Sequence, residues 1–113
     1  MFSRYYRAAL MVVVLGVFVS MPMVHAYPTA TGNVSEAIDH AKQAVTHGKA
    51  GHVDELVKHA ETALDFAKMG GKSLEVSEGI HHLKEAITHG KAGYIDVGIE
   101  HIQTALKYLS EVN

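Results

Sequence analysis

Histidines occur at an unusual density and spacing in one stretch of the chain. Residues 40 to 59 contain four of them, separated by gaps of seven, five and seven residues: His40, His47, His52 and His59. The spacing is symmetric about a short glycine-containing run, HGKAG. Neutral imidazole is a good ligand for divalent copper, nickel and zinc. The stretch therefore contains candidate metal ligands, and their use depends on which of them a fold brings together.

The same pattern recurs further along the chain. A shift of 42 residues aligns residues 34–64 with residues 76–106, and 18 of the 31 aligned positions are identical. The second copy retains three of the four histidines, and it has Tyr94 where the first copy has His52. His81 is an additional histidine, and its participation stays open. The sequence predicts a tandem duplication, with repeats at about 33–69 and 74–111.

The pattern of apolar residues predicts the elements that carry the histidines. Apolar side chains recur at spacings of three and four on both sides of HGKAG, as Val34, Ile38, Ala41 and Val45 do in the first copy. This periodicity predicts two amphipathic helices in each copy. Helices joined by short connections are antiparallel neighbours. The sequence therefore predicts an all-α, up-down-up-down antiparallel four-helix bundle built from a duplicated helical hairpin.

The glycines of the repeated run are predicted to end the first helix of each hairpin. We expect Gly48 and Gly90 to adopt the left-handed conformation that commonly closes a helix. Gly51 and Gly93 would then free the backbone before the second helix begins. On this interpretation, each first helix stops directly after its last histidine.

The hairpin determines which histidines can meet. Residues seven apart on one helix lie about 10.5 Å apart along its axis, whereas a metal ion needs each nitrogen at about 2 Å. In an antiparallel hairpin, two residues at the same level along the helix axes have residue numbers that add up to the same total for every such pair. On a helical wheel, the histidines of both helices flank the apolar face on the same side. The two histidines of every pair therefore either point towards each other at the boundary between the helices or point away from each other. The predicted pairs are His40/His59 and His82/His101, followed by His47/His52.

Carboxylates add further candidate ligands. Four glutamates lie four residues before a histidine, on the same helical face: Glu36, Glu55, Glu78 and Glu85. Imidazole and carboxylate suit Cu²⁺, Ni²⁺ and Zn²⁺, and the Irving–Williams order places copper first. Cysteine is absent, so neither a thiolate site nor c-type haem attachment is expected. The sequence has no HExxH motif and no phosphate-binding loop, and we predict that it is not an enzyme.

The start of the chain has the features of a secretory signal peptide. Arg4 and Arg7 precede an apolar run, and Val24-His25-Ala26 provides small residues at the expected cleavage site. We predict a signal peptide at 1–26 and a periplasmic chain at 27–113 with no membrane attachment. That chain has 8 lysines and 12 acidic residues, a formal charge of −4, which argues against nucleic-acid binding. A monomer is expected.

The two repeats resemble a known family. HAKQAVTHGKAGHVDELVKHAETAL and HLKEAITHGKAGYIDVGIEHIQTAL are similar to the small metal-binding protein family of ammonia-oxidising bacteria, over residues 36 to 108. The resemblance implies an exported four-helix bundle that binds several divalent ions, copper above all, for metal buffering, sequestration or tolerance. Carried onto this chain, it implies binding by the following residues: His40, His47, His52, His59, His82, His89 and His101.

A reading without metal stays open. Histidine at the polar edge of a helix is usually a surface residue, and a duplication copies whatever its ancestor carried. The alternative is a metal-independent periplasmic bundle that acts as an interaction or stress protein. The aromatic residues Phe66, Tyr94 and Tyr108 are expected to cover the bundle rather than to stack on a cofactor.

Overall fold

A computed structural model describes residues 29–112, which form four helices. These are α1 (Ala30–Lys49), α2 (Val53–Lys68), α3 (Leu74–Lys91) and α4 (Ile95–Ser110). The all-α class predicted from the sequence is confirmed for this part of the chain. The predicted signal peptide lies outside the described residues.

Side-chain hydroxyls start the first helix of each hairpin. Thr29 accepts a hydrogen bond from the backbone amide of Gly32 at 2.9 Å, and Ser73 accepts one from Val76 at 3.2 Å. Each bond satisfies an amide that has no partner within its helix. The second helices begin differently, because Asp54 and Asp96 place negative charge in their first turns. That charge interacts favourably with the positive end of the helix dipole.

The first helix of each hairpin ends in a Schellman motif centred on the second glycine of HGKAG. Gly51 has φ 82° and Gly93 has φ 87°. The amide of Gly51 donates to the Gly48 carbonyl at 3.0 Å, and the amide of His52 donates to the His47 carbonyl at 2.9 Å. The prediction that Gly48 and Gly90 close the helices is therefore wrong, because both are helical and the left-handed residue follows three positions later.

Gly48 serves the packing of the bundle instead. A Cβ atom at this position would lie 2.5 Å from Cδ1 of Leu56 and 2.9 Å from Cγ1 of Ile99. Leu56 belongs to α2 and Ile99 to α4, so α1 approaches both neighbours closely at this residue. A glycine is needed here for its lack of a side chain rather than for its backbone freedom.

Each helix packs against two others. The neighbouring pairs are α1 with α2, α2 with α3, α3 with α4, and α1 with α4. This closed ring of contacts, together with the short connections, fits the up-down-up-down arrangement. None of the helices within residues 29–112 has the length and hydropathy needed to cross a bilayer.

The core between the helices is apolar and made largely of small residues. Half of its sixteen buried apolar residues are alanine, and most of these belong to α1 and α2. The largest fully buried side chains are Leu56, Leu83, Ile102, Leu109 and Val76. The histidines are not part of this core, so the bundle does not depend on them for its apolar packing.

Two glycines within the helices of the second hairpin are predicted to respond oppositely to alanine. A Cβ at Gly79 would lie 2.7 and 2.8 Å from Cδ2 and Cγ of the buried Leu109, whereas a Cβ at Gly98 would meet its nearest neighbour, the Ala86 carbonyl, at 3.4 Å. Alanine adds about 1 kcal/mol of helix propensity at either position, but overpacking costs about 1–3 kcal/mol. Gly98→Ala should therefore raise the free energy of unfolding and Gly79→Ala should lower it. Urea denaturation of the metal-free chain measures both, and an equal gain in the two variants would contradict the packing at Gly79.

Candidate metal centre

The predicted histidines line the outer boundary between the helices of each hairpin. In the first hairpin, the rings form a continuous row in the order His52, His47, His59, His40 and Phe66, with centroid separations of 6.0, 5.1, 5.6 and 5.7 Å. We call this row seam 1. His59 and His47 lie almost parallel, at an interplanar angle of 7°. Phe66 thus extends the row of imidazoles at one end.

The second hairpin repeats the arrangement. Its row, seam 2, runs in the order Tyr94, His89, His101, His82 and Tyr108, with centroid separations of 6.3, 5.4, 5.4 and 5.8 Å. Each ring of seam 2 follows its counterpart in seam 1 by 42 positions. The two seams differ at their ends, where His52 and Phe66 correspond to Tyr94 and Tyr108. All three aromatic residues therefore flank histidines.

The nitrogen–nitrogen contacts within hydrogen-bonding distance join two of the histidine pairs predicted to share a level. Nδ1 of His40 lies 3.3 Å from Nδ1 of His59, and Nδ1 of His82 lies 3.1 Å from Nδ1 of His101. Two nitrogens bound to one ion at about 2.0 Å are separated by about 2.8 Å at a right angle and about 3.3 Å at the tetrahedral angle. Both pairs therefore already have the spacing of two adjacent ligands on one ion.

Each seam also contains a group of three potential ligands. In seam 1 it consists of His47, Glu55 and His59, and in seam 2 of Glu85, His89 and His101. One ligand atom from each member lies within 4.8 Å of the others. These groups are looser than the Nδ1 pairs, so their side chains would have to move closer to bind one ion. Two imidazoles and a carboxylate form a donor set that suits a divalent transition metal.

The carboxylate of the three-ligand group comes from a different helix in each hairpin. Glu55 lies on α2, and its counterpart in the second copy is Val97; Glu85 lies on α3, and its counterpart in the first copy is Gln43. Glu85 Oε2 lies 3.8 Å from Nε2 of His89. Neither carboxylate is therefore shared between the two copies. The two groups therefore have equivalent histidines, but the glutamate belongs to the second helix of the first hairpin and to the first helix of the second hairpin.

One histidine in each seam belongs to both arrangements. His59 lies between His40 and His47, and His101 lies between His82 and His89. The constant-sum rule predicted the pairs at one level but missed these contacts between levels. No signal in the sequence marks these contacts, because they depend on the stagger between the helices, which lets His59 on α2 reach both His40 and His47 on α1.

Burial and mutual repulsion lower the pKa of one histidine in each seam. The pKa of His59 falls below its ordinary value of 6.5, first because the ring is partly buried and then because charge on His47 or His40 would repel its own. The pKa of His82 is lowered by burial and then by His101 and His81. Glu55 acts in the opposite direction on His59 but does not reverse the shift. Both rings thus favour the neutral form, which is the form that binds a metal.

The remaining predicted residues are placed less closely. His52 is exposed and lies beside His47, and the additional His81 is exposed with its ring centroid 5.3 Å from that of His82. Glu36 and Glu78 are not in the three-ligand groups found among the described residues. Their role as ligands stays a prediction.

The chain matches a protein family whose description names metal binding. A family model described as small metal-binding protein matches residues 4–112. A search of curated proteins finds no match. The family match includes every helix and both seams, and it extends over nearly the whole chain. This chain belongs to the small metal-binding protein family.

Proposed function

We propose that the protein is a periplasmic, monomeric and non-catalytic binder of divalent metal ions that buffers or sequesters copper in preference to nickel and zinc. The observation that carries the proposal is the pair of Nδ1 contacts, 3.3 Å in seam 1 and 3.1 Å in seam 2. Two polar rings approach so closely only with a shared proton or a shared ion between them. The same contact occurs in both hairpins, which argues that it serves a function and does not result from an accidental choice of rotamers.

The donor atoms support the choice of copper. Imidazole nitrogens and carboxylate oxygens bind divalent ions in the Irving–Williams order, in which copper exceeds nickel and zinc. Soft ligands for cuprous ion are scarce, since the chain has no cysteine and Met69 is the only methionine after residue 26. The protein is thus suited to the oxidised form of copper, in agreement with an exported location.

The position of the seams supports buffering rather than catalysis. The six histidines at the centres of the seams are half-buried at the hairpin surface, while the bundle interior is apolar. Catalytic di-metal bundles place their glutamates and histidines inward, on all four helices. An ion on a seam has two or three protein ligands and contact with solvent. Such an ion can exchange, as a buffer requires.

Metal uptake by the seams is expected to depend on pH. Protons compete with metal for imidazole nitrogen, whose ordinary pKa is about 6.5, so affinity must fall as the pH falls. Because the pKa values of His59 and His82 are lowered, uptake should persist somewhat below pH 6.5 and be lost towards pH 5. We expect the affinity for cupric ion to fall at least about tenfold between about pH 7.5 and about pH 5. Equilibrium dialysis at the two pH values measures this change.

A control separates loss of ligands from loss of fold. Far-ultraviolet circular dichroism at both pH values should show that the helices persist where uptake is lost. Unchanged uptake at about pH 5 with an intact fold would mean that carboxylates, which protonate near pH 4, hold the ion instead of imidazoles.

A further inference from the structure

The Schellman motif that ends the first helix of each hairpin places one particular residue beside a seam histidine. In this motif the second residue after the helix cap donates its amide to the carbonyl five residues earlier, and the two side chains are commonly in contact. Here the amide of His52 donates to the His47 carbonyl, and the amide of Tyr94 donates to the His89 carbonyl, both at 2.9 Å. The side chains at 52 and 94 therefore extend the two seams at the turn end.

The backbone is nearly the same at these two positions. His52 has φ −90° and ψ 83°, and Tyr94 has φ −86° and ψ 75°. Their rings lie 6.0 and 6.3 Å from those of His47 and His89. Both residues are exposed, and the side chain of Tyr94 is 62% accessible. The hairpins thus present the same site with a different side chain, and either residue can be exchanged without disturbing the core.

The difference between His52 and Tyr94 matters because one central histidine, His59 or His101, is shared by both ligand arrangements of its seam. A neutral imidazole has one nitrogen with a free lone pair, because the other carries the proton. When His59 binds an ion with His40, it is not free to bind a second ion with His47. His52 can then supply the second imidazole beside His47. Seam 1 thereby has two separate imidazole pairs, His40/His59 and His47/His52.

Seam 2 lacks that second pair. When His101 binds an ion with His82, His89 is left with Glu85 and with the phenol of Tyr94. A phenol must lose a proton to become a strong ligand, whereas a neutral imidazole binds directly. A second ion in seam 2 would therefore have one imidazole where its counterpart in seam 1 has two.

We propose that the side chain at position 52 or 94 sets the number of divalent ions that its hairpin binds. Seam 1 binds two ions, and seam 2 binds only one with an affinity comparable to theirs. This inference rests on the proposed function, since it assumes that the seams bind metal. It makes the two copies of the duplicated hairpin unequal, with the difference located at one exposed residue of the turn.

Exchanging the two residues tests the inference. Seam 1 is isolated in a chain with His82→Gln, His89→Gln and His101→Gln, and seam 2 in a chain with His40→Gln, His47→Gln, His52→Gln and His59→Gln. Each is titrated calorimetrically with cupric ion at about pH 7.5, well above the ordinary imidazole pKa. His52→Tyr in the seam 1 chain should weaken the second ion at least about tenfold, since the loss of even an outer-shell partner costs about 10–100-fold. Tyr94→His in the seam 2 chain should create a second site.

The controls distinguish the possible outcomes. Tyr94→Phe keeps a ring at the turn without a ligand atom and should leave one ion in seam 2, while circular dichroism checks that every variant is helical. Two ions retained after His52→Tyr, or no second ion gained after Tyr94→His, would overturn the inference while leaving metal binding intact. Failure of both isolated seams to bind even a first ion would overturn the proposed function, and the inference with it.

Discussion

Replacing His101 with glutamine is expected to remove tight metal binding from seam 2. His101 belongs both to the pair with His82, at 3.1 Å between Nδ1 atoms, and to the group with Glu85 and His89. Without it, neither arrangement retains two imidazoles from the seam centre. We expect the affinity of this hairpin for cupric ion to fall at least about a hundredfold, because the loss of an outer-shell partner alone already costs about 10–100-fold.

Tyrosine emission provides a measurement specific to this seam. The chain has no tryptophan, and Tyr94 and Tyr108 lie at the two ends of seam 2, whereas seam 1 ends in His52 and Phe66. In the chain from residue 27, with Tyr27→Phe, cupric ion bound in seam 2 should quench the emission. His101→Gln should shift the quenching to at least about a hundredfold more free copper.

The matched control is the equivalent substitution in the other hairpin. His59→Gln removes the central histidine of seam 1 and should leave the quenching curve of the tyrosines unchanged. Equal shifts in the two variants would mean that the seams are not independent. No shift after His101→Gln would show that copper is held beside the tyrosines without His101.

Replacing Leu56 with alanine is expected to be the most destabilising single change in the core. Leu56 is fully buried on α2, and its methyl groups occupy the space next to Gly48 of α1 and Gly90 of α3. Gly98 of α4 lies nearby as well, so one side chain fills the point where the four helices meet. Leucine-to-alanine changes in a core cost about 2–5 kcal/mol, which is a large share of the stability of a small domain.

Urea denaturation of the metal-free protein measures the loss in free energy of unfolding caused by Leu56→Ala. The control is the same substitution at an exposed leucine. Leu74 is 71% accessible, so Leu74→Ala should change the free energy of unfolding by no more than about 0.5 kcal/mol. Copper at about 100 times its dissociation constant should restore about 2.7 kcal/mol to Leu56→Ala per independent site, if only the folded hairpin binds. Similar losses in the two variants would contradict the central role of Leu56.

The fold could be predicted from the sequence because its signals are local and repeated. Helical periodicity, the 42-residue duplication and the short turns each restrict the chain to the same bundle. The pairing of His40 with His59 also follows from counting, since an antiparallel hairpin fixes which residues share a level. The same rule applied to the second copy gives the contact of His82 with His101.

Other features depend on distances that a sequence does not contain. HGKAG has two glycines, and the pattern alone does not tell which is left-handed and which allows close packing. The contact between His47 and His59 depends on the stagger of the helices and on side-chain rotamers. The distances of Glu55 and Glu85 from the histidines have the same cause. An E-x-x-x-H spacing marks four glutamates equally, and only the structure separates these two from Glu36 and Glu78.

The most direct test of the account is a calorimetric titration of the chain from residue 27 to residue 113 with cupric ion at neutral pH, with nickel and zinc titrated in parallel. Saturable copper binding is expected at two or more sites per chain, tighter than that of nickel or zinc. Heats indistinguishable from those of dilution would contradict it. They would mean that the stacked histidines are a copied surface feature of a duplicated hairpin.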